Sequence, residues 1–274
     1  MVSLASFRYP AQTETRKGII HYVNGYGDYA LRYAFMGQQF AKAGYDFVTL
    51  DPKGFGHSEG TRGYIESVDR ICEDQMKFNT LIEEKFDGKG VPKLQLGYSM
   101  GGLVSLRLSA QNPKYFSGNG LITPYLGFKD KKIDELANSG FLKTLDRFVP
   151  WLRVPIPEEA RKKSNVNKFL QTINNDPLIE NRKICVHTMV MNQTALKQFS
   201  SEAEKIETPF IMILGGKDTV VDNKAAKDFF NLTSSKITDK DIVVYDDGDH
   251  FMALDNDYSS MLIKDLIAWY NTHI

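Results

Sequence analysis

Ser99 stands at the centre of Gly97-Tyr98-Ser99-Met100-Gly101, and later in the chain Asp218 and His250 each follow an apolar run. These three residue types can share one proton-transfer chain. A serine hydroxyl is a weak nucleophile at neutral pH, so attack on a carbonyl needs an imidazole within hydrogen-bonding reach and a carboxylate that fixes the imidazole's tautomer. The order Ser, Asp, His fits a parallel sheet in which each residue ends a different strand, because open α/β sheets place their sites at the carboxyl ends of strands. Ser99 follows the apolar run 91–96 and precedes a helix-like stretch, 102–111. That succession predicts a strand, a tight turn holding the serine in a strained conformation, and a helix N-terminus with free N–H groups.

Competing residues read differently. Of the five histidines, His21 falls inside a strand, His187 inside a helix and His273 at the C-terminus, while His57 belongs to the glycine-rich turn Asp51-Pro52-Lys53-Gly54-Phe55-Gly56-His57-Ser58-Glu59-Gly60 and is read as turn scaffold. Among the acids, Asp222 reads as a helix cap before 223–230, Asp51 as a turn-capping carboxylate, and Asp249 is too close to His250 to fold back onto its ring. Acyl transfer puts negative charge on the substrate oxygen, so two backbone donors must await it. The amide of Met100 is one. The loop Asn24-Gly25-Tyr26-Gly27 supplies the other, with the Tyr26 amide as candidate and the glycines allowing close approach to substrate.

Elements must bring these residues together. Strand-like runs at 18–23, 47–50, 93–96, 120–123, 210–214 and 242–245 alternate with helical patterns at 31–43, 68–86, 100–111, 223–230 and 258–271, the signature of a parallel α/β sheet covered on both faces. Residues 4–9 read as an antiparallel edge strand. The rhythm breaks over 124–185, where no strand is expected and prolines punctuate the chain at Pro150, Pro155, Pro157 and Pro177. This stretch reads as an inserted helical cap. Its apolar cluster (Phe141, Leu142, Leu145, Phe148, Val149, Trp151, Leu152, Val154, Ile156) has to be buried, and a helix over 182–205 returns to the sheet.

A length of 274 residues allows one core with an insertion, here a single domain over 1–274. Lys+Arg and Asp+Glu are both 34, and zero net charge excludes the strong basic field of a nucleic-acid binder. Cys72 and Cys185 lack metal or redox spacing and read as reduced, buried thiols; neither a metal nor a cofactor is expected. The first residues carry no signal-peptide pattern and no run spans a bilayer, so the expected location is intracellular, cytoplasmic or peripheral on a membrane. The basic clusters at 129–132 and 161–163 read as a solvated helix face with a weak attraction to anionic membrane.

Four blocks, Asn24-Gly25-Tyr26-Gly27-Asp28 with Arg32-Tyr33, the turn 51–60, 97–102 and Asp176-Pro177-Leu178, together with the spacing through Pro209, Asp218 and His250, carry a family resemblance over almost the whole chain. The chain resembles the α/β-hydrolase superfamily and, within it, the monoacylglycerol lipase and lysophospholipase group, the serine aminopeptidase-like hydrolases. The resemblance implies a mostly parallel eight-stranded sheet, a helical cap over the site, and hydrolysis of a lipid ester through an acyl-enzyme on Ser99. It also implies an apolar cap that lines an acyl channel and rests on a membrane, with Gly25, Asp28, Tyr98, Phe148 and Trp151 near the substrate. The chain departs from the family in three places: Asn24 and Tyr98 stand where histidines are usual, and the first edge strand is missing or shortened.

The leading expectation is therefore a serine esterase acting on a monoacylglycerol or a lysophospholipid, a small-molecule substrate. Dehalogenases and epoxide hydrolases resemble sequences with Asp at the nucleophile position, which Ser99 argues against. Two alternatives stay open, a serine peptidase using the same residues and a catalytically idle scaffold whose sheet edge a partner covers.

Overall fold

Apolar runs that predict strands pair into one sheet, and the spacing of the patterns between them sets where helices cover it. The computed structural model describes residues 2–156, 176–180, 183–233 and 237–274. In chain order its strands are β1 (Ser6–Tyr9), β2 (Gly18–Val23), β3 (Tyr45–Leu50), β4 (Lys93–Tyr98), β5 (Gly118–Ile122), β6 (Arg153–Pro155), β7 (Lys183–Cys185), β8 (Phe210–Gly215) and β9 (Lys240–Tyr245). Its helices are α1 (Ala34–Lys42), α2 (Val68–Lys85), α3 (Met100–Gln111), α4 (Lys131–Asn138), α5 (Gly140–Phe148), α6 (Val186–Glu202), α7 (Asn223–Leu232) and α8 (Asn256–Tyr270).

Among the described residues seven strands form the main sheet in the order β1-β3-β2-β4-β5-β8-β9, parallel throughout except for β1, which runs antiparallel to β3 with Ser6 opposite Leu50. This is an α/β-hydrolase fold, with β1 the short edge strand. Strands β2, β3, β5 and β8 are buried at every position, so none of them shows the polar alternation of a strand with one wet face, and β8 is apolar throughout. Register then aligns the strand ends. Val23 lies opposite Gly97, Tyr98 opposite Ile122, and Gly215 opposite Tyr245, so the loops after β2, β4, β8 and β9 open at one rim of the sheet.

Each face has its own helical layer. On one, Ile71 and Cys72 of α2, Leu103 and Leu106 of α3, Phe199 of α6 and Phe229 of α7 pack over Phe210 and Met212. On the other, Met36 and Phe40 of α1 and Leu262 and Leu266 of α8 cover Tyr22, Phe47 and Leu96. Cys72 and Cys185 are free and buried. No helix among the described residues is long and apolar enough to cross a membrane.

Between β5 and β8 the chain leaves the sheet. Asp130 caps α4 by accepting from the Lys132 amide, and Ser139 starts α5 by accepting from the Leu142 amide. The two helices pack Ala137 and Leu142 against Val186, Met189 and Val190 of α6. Three expectations need correction here. The stretch contains two strands, since β6 and β7 pair antiparallel with Arg153 opposite Cys185; three residues each, they are too short to show a period. The helix expected from residue 182 starts as α6 at Val186, because β7 takes the preceding residues. The apolar cluster is only partly buried: Leu142 packs inside, but Phe141 and Phe148, one heptad apart on the other face of α5, are each 70% exposed. Lys131 of the first basic cluster is paired with Asp222 at 2.7 Å; the cluster at 161–163 and Pro157 lie outside the described residues.

His21 sits in β2 with no solvent contact, and burial, followed by the charge of Lys93, lowers its pKa to about 3 despite Asn79. The unfolded chain binds this proton near the usual histidine value and the folded chain does not, so stability rises with pH between about 3 and 6.5 and is flat above. Urea unfolding as a function of pH should show His21→Leu losing less stability than the wild type between about pH 6.5 and 4, a difference of up to roughly a few kcal/mol.

Candidate active site

The turn after β4 forces Ser99 into φ 53°, ψ −118°, a region that non-glycine residues avoid. Close packing compels it. A Cβ on Gly101 would overlap the carbonyl of Val23, and one on Gly97 would overlap Ser105 Oγ and the carbonyl of Gly101, so only glycine lets β4, α3 and β2 approach this closely. Backbone bonds then pin the serine: its N–H donates to the Ile122 carbonyl at 3.0 Å, and its carbonyl accepts from Gly102 and Tyr125 at 2.9 Å. The side chain projects from the rim, half-buried.

Asp218 and His250 arrive from the next strands. After β8, Asp218 donates its amide to the Gly215 carbonyl at 3.1 Å, and its Oδ1 accepts the amides of Val220 and Val221 at 2.8 and 2.9 Å. That leaves Oδ2 for His250 Nδ1, 2.8 Å away. A carboxylate can only accept, so Nδ1 carries the proton and Nε2 presents its lone pair to Ser99 Oγ at 3.0 Å. Both partners are sheltered, Asp218 being 4% and His250 5% exposed. Their loops brace each other, with Gly216 donating to the Tyr245 carbonyl and Lys217 to that of Gly248 at 2.8 and 2.9 Å.

The two residues expected to offer backbone donors lie on α3 and on the loop after β2. Met100 opens α3, so its N–H has no partner within the helix and lies at the positive end of the helix dipole. The loop after β2 passes beside the serine, since a Cβ on Gly25 would stand 3.2 Å from Ser99 Cβ. Asn24 Nδ2 donates to the Asp28 carbonyl at 2.8 Å and closes that loop from within, with Tyr26 between them and its ring edge-on to Phe55 at 5.5 Å.

The other residues expected near the substrate are placed as follows. Asp28 is buried, its Oδ1 paired with Arg32 at 2.8 Å and its Oδ2 accepting from Tyr33 Oη at 2.8 Å, so it braces the loop from below. Tyr98 is 3% exposed; burial, then the charges of Asp28 and Asp218, pushes its phenol well above its usual pKa, and its Oη donates to the His250 carbonyl at 2.9 Å. Its ring also lies tilted against the imidazole, 5.6 Å away. Tyr98 thus touches His250 through both its hydroxyl and its ring, a contact that no sequence pattern announces. Phe148 and Trp151 are 70% and 64% exposed on the inserted segment. Asp51, His57 and Asp222 behave as expected: Asp51 accepts the amides of Ala30 and His57, and Asp222 caps α7 through the Lys224 amide.

Comparison with known proteins gives a consistent picture. A family model described as serine aminopeptidase, S33, matches residues 14–257. The monoglyceride lipase of Mus musculus is 26% identical over 275 aligned residues, covering 97% of this chain and 86% of the relative. The crystal structure of Paleococcus ferrophilus monoacylglycerol lipase shares the fold with a TM-score of 0.85 at 22% identity, covering 99% of this chain and all of that one. A soluble variant of the Saccharomyces cerevisiae monoglyceride lipase, in complex with a substrate analog, gives 0.87 at 18% identity over 99% of this chain and 92% of its own.

Removing the Tyr98 hydroxyl should loosen the His250 loop without touching Ser99. Steady-state kinetics of Tyr98→Phe on a soluble ester should show kcat down by about tenfold with KM within twofold, the pattern of an interaction felt by the base and not by bound substrate.

Proposed function

Because the chain belongs to the serine aminopeptidase S33 family, we propose that it is a serine hydrolase that cleaves the carboxylic ester of a lipid, a monoacylglycerol or a lysophospholipid, through an acyl-enzyme on Ser99. One observation carries the reading: Asp218, His250 and Ser99, from three strand ends, are joined by hydrogen bonds of 2.8 and 3.0 Å in the order that proton transfer needs. Ser99 Oγ attacks the ester carbonyl carbon while its proton passes to His250 Nε2. The carbonyl oxygen takes the negative charge, facing the amides of Met100 and Tyr26. Collapse breaks the bond to the leaving alkoxide, which takes the proton from Nε2 and departs as the alcohol. Water then attacks the acyl-Ser99 carbonyl, giving its proton to Nε2, and the carboxylic acid leaves as Ser99 recovers its hydrogen.

Lipid esters are favoured over soluble ones on two grounds. Relatives named as monoglyceride or monoacylglycerol lipases match nearly the whole chain. The segment 124–185, which we read as the cap, bears Phe141, Phe148 and Trp151, apolar side chains 64–70% exposed, as a lipid interface would need.

Hydrolysis of 1-oleoylglycerol and of oleoyl lysophosphatidylcholine, followed by fatty-acid release, tests the assignment. The wild type should release oleate from at least one, and Ser99→Ala should lose about 10⁴-fold or more; release by neither, with turnover of amino-acid amides instead, would replace the esterase by a peptidase. The joint substitution Phe148→Ala, Trp151→Ala should weaken vesicle binding in a flotation assay by about tenfold or more while leaving kcat on a soluble short-chain ester unchanged.

A further inference from the structure

The block Asp176-Pro177-Leu178 is given no role by the chemistry at Ser99. It forms a strap, 176–180, in contact with the loop that carries Tyr26. Asp176 uses both carboxylate oxygens: Oδ1 accepts the Leu178 amide at 2.9 Å, closing a turn, and Oδ2 accepts from Tyr29 Oη at 2.7 Å. Four residues on, the Glu180 amide donates to the Gly27 carbonyl at 2.9 Å. Gly27 has φ 78°, and a Cβ there would overlap the Glu180 carbonyl, so strap and loop meet backbone to backbone. The Glu180 carboxylate is in turn ion-paired with Arg153 of β6.

The loop needs such a constraint. Two of its four residues are glycines, which contribute little stiffness of their own. Its inner side is fixed by Asn24 on the Asp28 carbonyl and by Gly25 against Ser99 and the Tyr98 ring. Its outer side is the one the strap reaches, at Gly27 and Tyr29, just beyond Tyr26. An oxyanion donor is effective only when it already points at the developing charge, and a misplacement of about 1 Å costs on the order of 100-fold. We infer that the 176–180 strap, through the Asp176–Tyr29 and Glu180–Gly27 hydrogen bonds, holds the Tyr26 amide in place as an oxyanion donor, so that Tyr29 and Asp176 are positioning residues for ester hydrolysis. The inference rests on the proposed roles of Ser99 and Tyr26.

The test compares a p-nitrophenyl ester with the corresponding thionoester, whose C=S sulfur accepts hydrogen bonds weakly and gains little from the donor. Within one protein the ratio of the two kcat values is independent of the active fraction, so partial misfolding cancels. For Tyr29→Phe and for Asp176→Ala the ester-to-thionoester ratio should fall by about tenfold or more, and the double variant should fall no further than Asp176→Ala alone, which already lacks the bond that Tyr29→Phe removes. An active wild type whose ratio is unmoved by either substitution overturns the strap's role alone. A wild type that turns over neither compound and takes no fluorophosphonate label overturns the serine-hydrolase reading, and the strap's role with it.

Discussion

At Ser99 a residue with a side chain holds a backbone conformation that costs about 1–3 kcal/mol, and much of the surrounding structure exists to sustain it. The strain lifts the hydroxyl clear of the sheet and aims it at the imidazole. It persists because β2, β4, β5 and α3 meet at van der Waals distance around it: the carbonyl of Val23 lies against Gly101, the Ile122 carbonyl holds the serine amide, and Tyr125 and Gly102 hold its carbonyl. Any side chain at Gly97 or Gly101 would push these elements apart. The reactive geometry is therefore a consequence of how closely the strands and helix pack.

Much of this was legible in the sequence. Strands such as β8 announced themselves as apolar runs because both faces of a parallel sheet are covered, and α3 was found at its observed bounds, 100–111, behind the glycine-flanked turn at Ser99. The meeting of Ser99, Asp218 and His250 was anticipated from chain order, as were the turn role of Asp51 and the capping role of Asp222. What escaped detection was whatever depends on contacts between distant segments. β6 and β7 are three residues each and exist only as each other's partners. The partners of Tyr98 and Asp28, the His250 carbonyl for one and Arg32 with Tyr33 for the other, were not foreseen, since nothing local distinguishes a phenol facing a ligand from one facing a carbonyl. The exposure of Phe141 and Phe148 was misjudged for a related reason: α5 carries apolar side chains on two faces, and the one with Leu142 packs on α6.

The inserted segment is tied to the rim that carries Ser99 at more than one level. His187 at the start of α6 meets Asp146 of α5 at 2.8 Å and the Glu66 carbonyl at 3.0 Å while stacking on Tyr64. Thr188 accepts from the Ile65 amide and donates to the Gly63 carbonyl, both at 3.0 Å. Next to this joint, Tyr26 Oη donates to the Lys183 carbonyl of β7, so the loop beside Ser99 and the base of the inserted segment share a wall. Displacing the segment would thus be felt at the rim through a short run of packed side chains.

The central claim is that one serine hydroxyl, activated by a buried imidazole and carboxylate, is the nucleophile. Intact-mass spectrometry after exposure to an alkyl fluorophosphonate, with peptide mapping of the adduct, tests it most directly because the reagent requires an activated serine and no particular substrate. The account predicts one adduct per chain, on the peptide that contains Ser99, forming at least about 100-fold more slowly in His250→Ala. A chain that stays unmodified, or an adduct on a different residue, would contradict it.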